Sequence, residues 1–475
     1  MWAAGEGGIT KGPVDLSSAR TVPSGSVGTG RAAKHDPRPG RNQLLLAFIL
    51  LAGLAATLAL NWPGQMSYDS VSQLAEARAG FYHSWHPPVM AWLMRQFDGL
   101  LPGTGLFILF NGALALFAFW SFAQPRRATA LTLVLALLAM MTPQWLLYQG
   151  TVWKDVLFAD AALAGFAALA RAAGGNRLWC IPAIPLFALA MMARQNGLVI
   201  VPVAAMALGA LLWRRTSPGR AAAGALLFLA LTAGLAFAGE ALLALHGDRG
   251  ADAADEIRLA QSYDLAGMMK HDPAFRPARL EAQDAALAEL LRTRGVALYT
   301  PVWSDPLVND EAMHGAITDA PAGLVFAQWR DAVLRHPLLY LATRWPVFAW
   351  VVATPDLDAC HALYTGVDGP PDLLRELGLK PVWRTQDELH NRYGLLLQGT
   401  PLFSHLAFGA LALGLLAFLL WRRRDGDLAA AGLLAAALAF SASFFVVAIA
   451  CDYRYLYFLD LAAMAGALAA AARKN

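Results

Sequence analysis

Long apolar segments recur along most of the chain, and they constrain its fold more than any other feature. A transmembrane helix needs about 20 mostly apolar residues. Of the 475 residues, 57% are hydrophobic and only 15% are charged, whereas an ordinary soluble domain has about 25% charged residues. The sequence therefore predicts an all-α polytopic membrane protein with about ten transmembrane helices. These predicted spans cover residues 43–61, 104–123, 129–148, 155–171, 178–193, 197–213, 221–245, 401–421, 428–450 and 454–472.

Basic residues cluster at alternate ends of the predicted spans. The clusters are the N-terminal tail up to Arg41, Arg126-Arg127, 171–177, 213–220, 422–424 and Arg473-Lys474. Because basic loops tend to remain in the cytoplasm, the pattern predicts cytoplasmic N- and C-termini and a plasma membrane location, which in bacteria is the inner membrane. The net charge of +3 gives no reason to expect a nucleic-acid partner.

The distribution of apolar and polar sequence divides the chain into four regions. Residues 1–41 lack periodicity and predict a disordered cytoplasmic tail. Residues 42–245 form an N-terminal transmembrane module whose first outer loop is 62–103, residues 246–400 an extracytoplasmic region, and residues 401–475 the C-terminal transmembrane helices. The apolar segment 336–353 contains Arg344 and Pro346, both costly at bilayer depth. We expect an interfacial helix there, with a true span as the alternative.

The three cysteines show no metal-ligand or CxxC spacing. Cys180, Cys360 and Cys451 are therefore interpreted as packing residues. A disulfide between Cys360 and Cys451 is the alternative if both face an oxidising compartment.

The polar stretch Ser67-Tyr68-Asp69-Ser70 follows the first predicted span, and a helical pattern then continues to Gly80. Asp and Ser are common helix N-caps, so one interpretation of Asp69 is a capping residue. The other is a general base that takes the proton of a bound hydroxyl, which requires a carboxylate beside the substrate.

Two histidines follow in the segment His83-Ser84-Trp85-His86-Pro87-Pro88. Their spacing would suit metal ligands on a helix, but Pro87 disfavours regular helix before it. The motif instead indicates a rigid turn whose prolines begin the next helix. We predict that His86 contacts substrate and that the site holds no metal or other cofactor, with a divalent ion as the alternative.

Ionisable and polar residues lie at the outer ends of later spans, where burial is costly unless compensated. Lys154 and Asp155 open the fourth span, and Arg194 and Asn196 interrupt an apolar hairpin. A guanidinium matches two phosphate oxygens at once, so Arg194 is predicted to bind phosphate. Lys154 either does the same or extends its charge to the interface, and Asp155 suits a helix start.

The segment Asp452-Tyr453-Arg454-Tyr455 precedes the last predicted span. In one interpretation Asp452 and Arg454 pair and cap the hairpin, and in the other Arg454 is a second phosphate contact. The predicted site thus has Asp69 as its catalytic residue. Its predicted substrate-binding residues are His86, Lys154, Asp155, Arg194, Asn196, Asp452 and Arg454.

These motifs together resemble those of the GT-C superfamily of polytopic glycosyltransferases, nearest to its polyprenyl-phosphate-mannose and aminoarabinose transferase branch. The likeness rests on SYDS, WHPP, WKD, ARQNG and CDYRYLYF, and in layout it covers residues 43–472. It implies a GT-C-like fold with outer-face interfacial helices, and an acceptor-activating Asp in the first outer loop, here Asp69. The second acid usual beside that Asp is absent, because Tyr68 and Ser70 flank it.

The resemblance also implies the reaction. We expect an inverting glycosyltransferase that moves a sugar from a polyprenyl-phosphate-linked donor to an envelope lipid, glycan or protein at the outer face, among membrane lipids. A transporter or flippase of lipid-linked sugars is one alternative, although transporters place ionisable residues near the midplane. A surface-polysaccharide ligase or polymerase, which shares donor and face, is another.

Overall fold

The computed structural model describes residues 40–83, 85–247, 251–381, 383–424 and 426–472. The predicted N-terminal tail lies outside the described residues except for Gly40 and Arg41, as do Arg473 and Lys474. The described residues are almost entirely helical, contain no β-strand and form four isolated bridges.

The N-terminal half of the described chain folds into helices α1 to α10. They are α1 (Arg41–Asn61), α2 (Tyr68–Ala79), α3 (Pro88–Leu100), α4 (Gly105–Phe122), α5 (Ala130–Met140), α6 (Pro143–Leu146), α7 (Lys154–Ala173), α8 (Cys180–Ala193), α9 (Ile200–Trp213) and α10 (Pro218–Leu243). Pro88 is the first residue of α3, which confirms that the prolines after His86 begin a helix.

The predicted outer region contains mostly short helices. They are α11 (Ala251–His271), α12 (Ala278–Gln283), α13 (Ala285–Leu290), α14 (Val296–Leu298), α15 (Asp305–Val308), α16 (Glu311–Asp319), α17 (Ala322–Arg335), α18 (Pro337–Ala353), α19 (Pro371–Glu376) and α20 (Thr385–Leu397). The chain closes with α21 (His405–Arg422), α22 (Asp427–Val447) and α23 (Tyr457–Ala471).

Seven of the described helices are long and apolar enough to cross a membrane, namely α1, α4, α7, α9 extended to Gln195, α10, α21 and α22. The count becomes eight if α5 and α6, which bend by 58°, form one span. The all-α polytopic fold is thus confirmed, and seven or eight of the ten predicted spans meet this criterion of length and composition. Segment 178–193 belongs to a shorter apolar helix, and α23 has only 15 residues because residues 448–456 form extended chain and a 3₁₀ turn.

Helix α7 lies at the centre of the bundle, and nearly all of its side chains are buried. It packs against α4, α8, α22 and α23. By contrast, α1 and α10 expose large apolar side chains such as Phe48 and Phe237, as expected for helices that face lipid. The first residues of α7 therefore stand in the middle of one end of the bundle.

Backbone hydrogen bonds hold the loop after α1 against two distant segments. The Gln65 N–H donates to the Gly150 carbonyl at 3.0 Å, and the Met66 N–H donates to the Gly366 carbonyl at 2.9 Å. A Cβ at Gly150 would lie 2.1 Å from the Asn61 side chain, so the close approach requires glycine. These contacts bring the start of α2 beside the start of α7.

A disulfide joins Cys360 to Cys451, with their Cα atoms 4.8 Å apart. The packing interpretation was therefore wrong for these two cysteines, and the alternative is confirmed. Cys180 is free. The Tyr453 N–H also donates to the Cys360 carbonyl at 2.8 Å, so the disulfide and this bond together fix the chain that leads to Arg454.

An interfacial helix would leave Arg344 at the surface of α18, but the structure buries this residue. Its side chain is 1% exposed and lies 2.8 Å from the Asp264 carboxylate. It also donates to the carbonyls of Phe445 and Ala448, at 2.8 and 2.6 Å. A buried charge that is paired and hydrogen-bonded is tolerated. The presence of Arg344 therefore does not argue against a deeply buried α18. The interfacial position of α18 remains a prediction.

Candidate active site

Asp69 lies at the second position of α2, and Ser67 is the N-cap. The Ser70 Oγ accepts the Ser67 N–H at 3.2 Å and donates to the Val152 carbonyl at 2.5 Å. The interpretation of Asp69 as the capping residue was therefore wrong. Since the serines satisfy the helix start, the Asp69 carboxylate is free to face the neighbouring cations, and 33% of its side chain is exposed.

Arg454 lies among three carboxylates. Its guanidinium is 3.0 Å from Asp69, 2.7 Å from Asp452 and 3.6 Å from Asp155, and it stacks 5.1 Å from the centre of the Trp153 ring. The Asp452 carboxylate also accepts the Arg454 N–H at 3.2 Å, which confirms that Asp452 caps this turn and pairs with Arg454. The tertiary structure adds the contact to Asp69.

Arg194 ion-pairs with Asp155. Its guanidinium also stacks on Phe444 and Tyr455, 5.3 and 5.0 Å from the ring centres. Asp155 is 3% exposed, and a carboxylate so deeply buried requires a partner. Arg194 therefore neutralises Asp155, which lies between it and Arg454.

His86 is placed between two carboxylates. Its Nε2 is 3.6 Å from Asp69 and its Nδ1 is 3.8 Å from Glu76. Glu76 was missed by the sequence analysis, although it stands two turns after Asp69 on the same helix face. His86 thus contacts Asp69, the predicted catalytic residue.

The other two predicted substrate-binding residues are Lys154 and Asn196. Lys154 begins α7 and is half-buried, and its charge acts on Asp69. The Asn196 Nδ2 donates to the Ser443 Oγ at 3.0 Å, which joins the 3₁₀ turn 195–199 to α22. Asn196 therefore supports helix packing, and its role in substrate binding remains a prediction.

The charges of these six residues balance. Three carboxylates, Asp69, Asp155 and Asp452, lie near three cations, Lys154, Arg194 and Arg454. Within the described residues, no group of three or more His, Cys, Asp or Glu side chains could hold a metal ion. The Arg454 guanidinium occupies the space among the acids.

The cluster shifts the pKa values of Asp69 and His86 in opposite directions. Burial alone would raise the pKa of Asp69, but Arg454, His86 and Lys154 together hold it well below its usual range. Burial would lower the pKa of His86, but Asp69 and Glu76 raise it above 6.5. Asp69 is therefore ionised, and a proton on His86 is stabilised beside it.

A cavity of about 470 Å³ opens on the other side of Arg454. Its polar lining includes Trp85, Gln195, Glu256, Gln261, Asp264, Ser304, Asp305, Trp329 and Arg344. The Gln261 side chain is buried, and its Oε1 has no hydrogen-bond partner. The apolar side chains of Ile257, Val446 and Val447 line the same cavity and are about half exposed. The cavity thus combines a polar interior with an apolar rim.

A buried polar network supports the turn that carries Arg454, and the sequence analysis missed it. Asp460 lies 2.9 Å from His405 and accepts hydrogen bonds from the Tyr453 hydroxyl at 3.2 Å and from Gln144 at 3.1 Å. Acids inside apolar segments are the signal that would have found it. The network fixes Tyr453, the neighbour of Arg454.

No protein-family model and no curated protein sequence matches the chain. Among solved structures, the chain is similar to the Archaeoglobus fulgidus oligosaccharyltransferase in complex with an inhibitory peptide and a dolichol-phosphate, with 14% identity and a TM-score of 0.37. It is also similar to the apo form of that enzyme, with 14% identity and a TM-score of 0.38. Each match covers 89% of this chain and 50% of the other, so this chain spans about half the length of these structures.

Proposed function

We propose that the protein transfers a sugar from a polyprenyl-phosphate-linked donor to a hydroxyl group of an envelope lipid, glycan or protein at the outer face of the plasma membrane. The observation that carries the proposal is the position of Arg454. Its guanidinium contacts Asp69 and also lines the cavity with the polar interior and apolar rim. One cation therefore connects an accessible carboxylate to a space suited to an amphiphilic phosphosugar.

The lining of the cavity fits this substrate class. Trp85 and Trp329 offer aromatic faces, and Gln261 offers an unpaired buried oxygen, as recognition of sugar hydroxyls requires. The exposed apolar rim at Val446 and Val447 would contact the polyprenyl chain. Arg454 would hold the phosphate, since guanidinium and phosphate form charge-assisted bonds.

In the proposed step, the acceptor oxygen attacks the anomeric carbon while the bond from that carbon to the phosphate oxygen breaks. Asp69 takes the acceptor proton, and the electron pair leaves with the polyprenyl phosphate. Arg454 stabilises the charge that develops on the leaving group. Attack opposite the departing phosphate inverts the configuration at the anomeric carbon.

The ion pair between Asp69 and Arg454 gives the donor a second role. While Arg454 holds Asp69, the carboxylate has a low pKa and is a weak base. A donor phosphate that binds Arg454 competes with Asp69, and the partial loss of its cation raises the pKa of Asp69. The base would thus gain strength when the leaving group is in place.

Two independent features support an outer-face site. Disulfides persist in oxidising compartments, and the disulfide residue Cys451 directly precedes Asp452. The basic clusters predict the same side for this segment, with cytoplasmic termini.

A transporter or flippase of lipid-linked sugars would use the same cavity without a base. A surface-polysaccharide ligase would need Asp69 as the transferase does, but with a polymeric acceptor. The partly exposed carboxylate of Asp69 beside Arg454 favours transfer over transport, because transport requires no group that accepts a proton from a hydroxyl.

Mass spectrometry of lipids that co-purify with the protein in mild detergent tests the donor class. We expect a polyprenyl phosphosugar with the wild-type protein and with Asp69→Asn, and a strongly reduced amount with Arg454→Gln. Equal recovery with Arg454→Gln, or recovery of bulk phospholipid alone from every variant, would overturn the proposal.

A further inference from the structure

A second polar cavity, of about 490 Å³, lies among the ends of α4, α7, α21 and α22 and the segment after α9. Five arginines line it, namely Arg127, Arg171, Arg215, Arg422 and Arg424. Asp427 is the one acidic residue in the described lining. We call this space the arginine cavity.

Asp427 is already neutralised by one of these arginines. Arg422 approaches both Asp427 carboxylate oxygens, at 2.8 and 2.5 Å, in the bidentate geometry typical of a strong pair. Among the described lining residues, no other acid then compensates the positive charge of the remaining arginines.

The other four arginines donate to neutral groups. Arg171 bonds to the Ser121 hydroxyl at 2.8 Å, Arg215 to the Ala173 carbonyl at 2.6 Å and Arg424 to the Ala472 carbonyl at 3.1 Å. Arg127 donates to the Gln124 amide oxygen at 3.2 Å. None of these four pairs with an acid in the described part of the chain, and the Arg424 Nε is buried without a partner.

The arginine cavity lies at the opposite end of the bundle from the candidate active site. Helix α7 begins at Lys154 in that site and carries Arg171 at the arginine cavity. At 1.5 Å per residue, about 25 Å separates the two along the helix axis, which is close to the thickness of the hydrocarbon core. The two sites therefore face opposite leaflets.

We propose that the arginine cavity binds the phosphate group of an anionic phospholipid from the cytoplasmic leaflet. Convergent guanidinium groups without acidic partners recognise phosphate, and basic pockets between helices on this side suit acidic headgroups. A narrow apolar cleft lined by Leu208, Leu211 and Leu212 shares Ala173 and Arg215 with the cavity. This cleft would take the first carbons of an acyl chain, which favours a lipid over free phosphate.

The binding site can be tested on the full-length protein in detergent. Native mass spectrometry would measure the affinity for phosphatidylglycerol and for phosphatidylcholine, and thermal unfolding would be followed with either lipid and with inorganic phosphate. We expect phosphatidylglycerol to bind more tightly and to raise the Tm. If inorganic phosphate stabilises the protein and phosphatidylglycerol does not, the cavity binds an anion, but its ligand is a soluble phosphate. The proposed lipid ligand would then be wrong.

Matched variants separate the cavity from the general basic surface. Arg127→Gln with Arg215→Gln removes two lining charges, and Arg126→Gln with Arg423→Gln removes two exposed charges that are not part of the lining. The first pair should weaken phosphatidylglycerol binding by roughly 10- to 30-fold, and the second should change it little. Equal losses in both pairs, or no preference for phosphatidylglycerol in the wild type, would overturn the proposal.

Discussion

The guanidinium of Arg454 lies 3.0 Å from the carboxylate of Asp69, and this ion pair joins the start of α2 to the turn before α23. The pair extends a chain of contacts in which Asp155 lies between Arg454 and Arg194. Removal of any member takes a partner from a neighbouring charge. The variants below use that dependence to separate catalysis from stability.

The partly exposed carboxylate of Asp69 beside Arg454 predicts a chemical role. Asp69→Asn keeps the size of the side chain but cannot accept the proton, so we expect transfer to fall by about 10²- to 10⁴-fold. Because Ser67 caps α2, folding should be little affected. Transfer assayed with a lipid-linked donor measures the loss. Asp98→Asn, which breaks the nearby Arg78–Asp98 pair, is the matched control and should remain active. Full activity in Asp69→Asn would show that Asp69 is not the general base.

Arg194 is predicted to act mainly through Asp155. Arg194→Gln leaves a 3%-exposed carboxylate with only the 3.6 Å contact to Arg454, and breaking a buried pair costs about 3–5 kcal/mol. Thermal unfolding in detergent should show this loss. The double variant Arg194→Gln with Asp155→Asn should recover part of it, because neither charge then remains unpaired. A double variant whose stability equals the sum of both single losses would show that the two residues do not interact.

The raised pKa of His86 predicts a pH dependence. The interaction of protonated His86 with Asp69 and Glu76 contributes stability that is complete below the ordinary value of 6.5 and is lost as the pH rises through the raised pKa. Asp69, whose pKa is lowered, contributes above its ordinary value of 3.8. Unfolding followed from about pH 5 to 9 should thus show a falling limb that is absent in His86→Asn. An identical profile in both proteins would contradict the assignment.

The same proton should influence the rate of transfer. When His86 loses its charge, the pKa of Asp69 rises and the carboxylate becomes a stronger base. We therefore expect kcat to increase through the raised pKa of His86, and His86→Asn to lack this increase. A rate that falls as His86 deprotonates would instead indicate that the imidazolium itself assists the reaction.

The disulfide is predicted to position Arg454. Cys360→Ser with Cys451→Ser removes the covalent link beside this turn, and loss of a native disulfide typically costs about 2–5 kcal/mol. We expect lower thermal stability and weaker donor binding, measured by co-purified lipid. Cys180→Ser, which alters only the free thiol, is the control. Unchanged donor binding in the double serine variant would show that the disulfide contributes to stability but does not position Arg454.

The predicted topology is checked by reporter fusions. Fusions after Gly150 and Gly369 should report from outside the cytoplasm, and those after Arg215 and Arg424 from the cytoplasm, because the basic loops set the orientation. A cytoplasmic signal at Gly369 would make α18 a true span. It would also contradict the hydrogen bond between Met66 and Gly366, because the two residues would then lie on opposite sides of the membrane.

Local sequence patterns are enough to predict the class of fold and the residue types of the candidate site. Apolar runs of about 20 residues require helices, because lipid offers no partner for an open backbone. Acids and bases at span ends identified Asp69, His86, Asp155, Arg194 and Arg454, since charges persist there only when something compensates them. These inferences depend on local composition alone.

Which of these charges meet depends on tertiary packing. The Arg454 contact with Asp69 and the Asp264 contact with Arg344 join segments far apart in sequence, and spacing along one helix cannot encode such pairs. The contact of Asn196 with Ser443 likewise arises from the packing of the 3₁₀ turn on α22, and the sequence alone does not indicate it. Burial makes partners obligatory, but the packing of helices around α7 determines which partner each charge can reach.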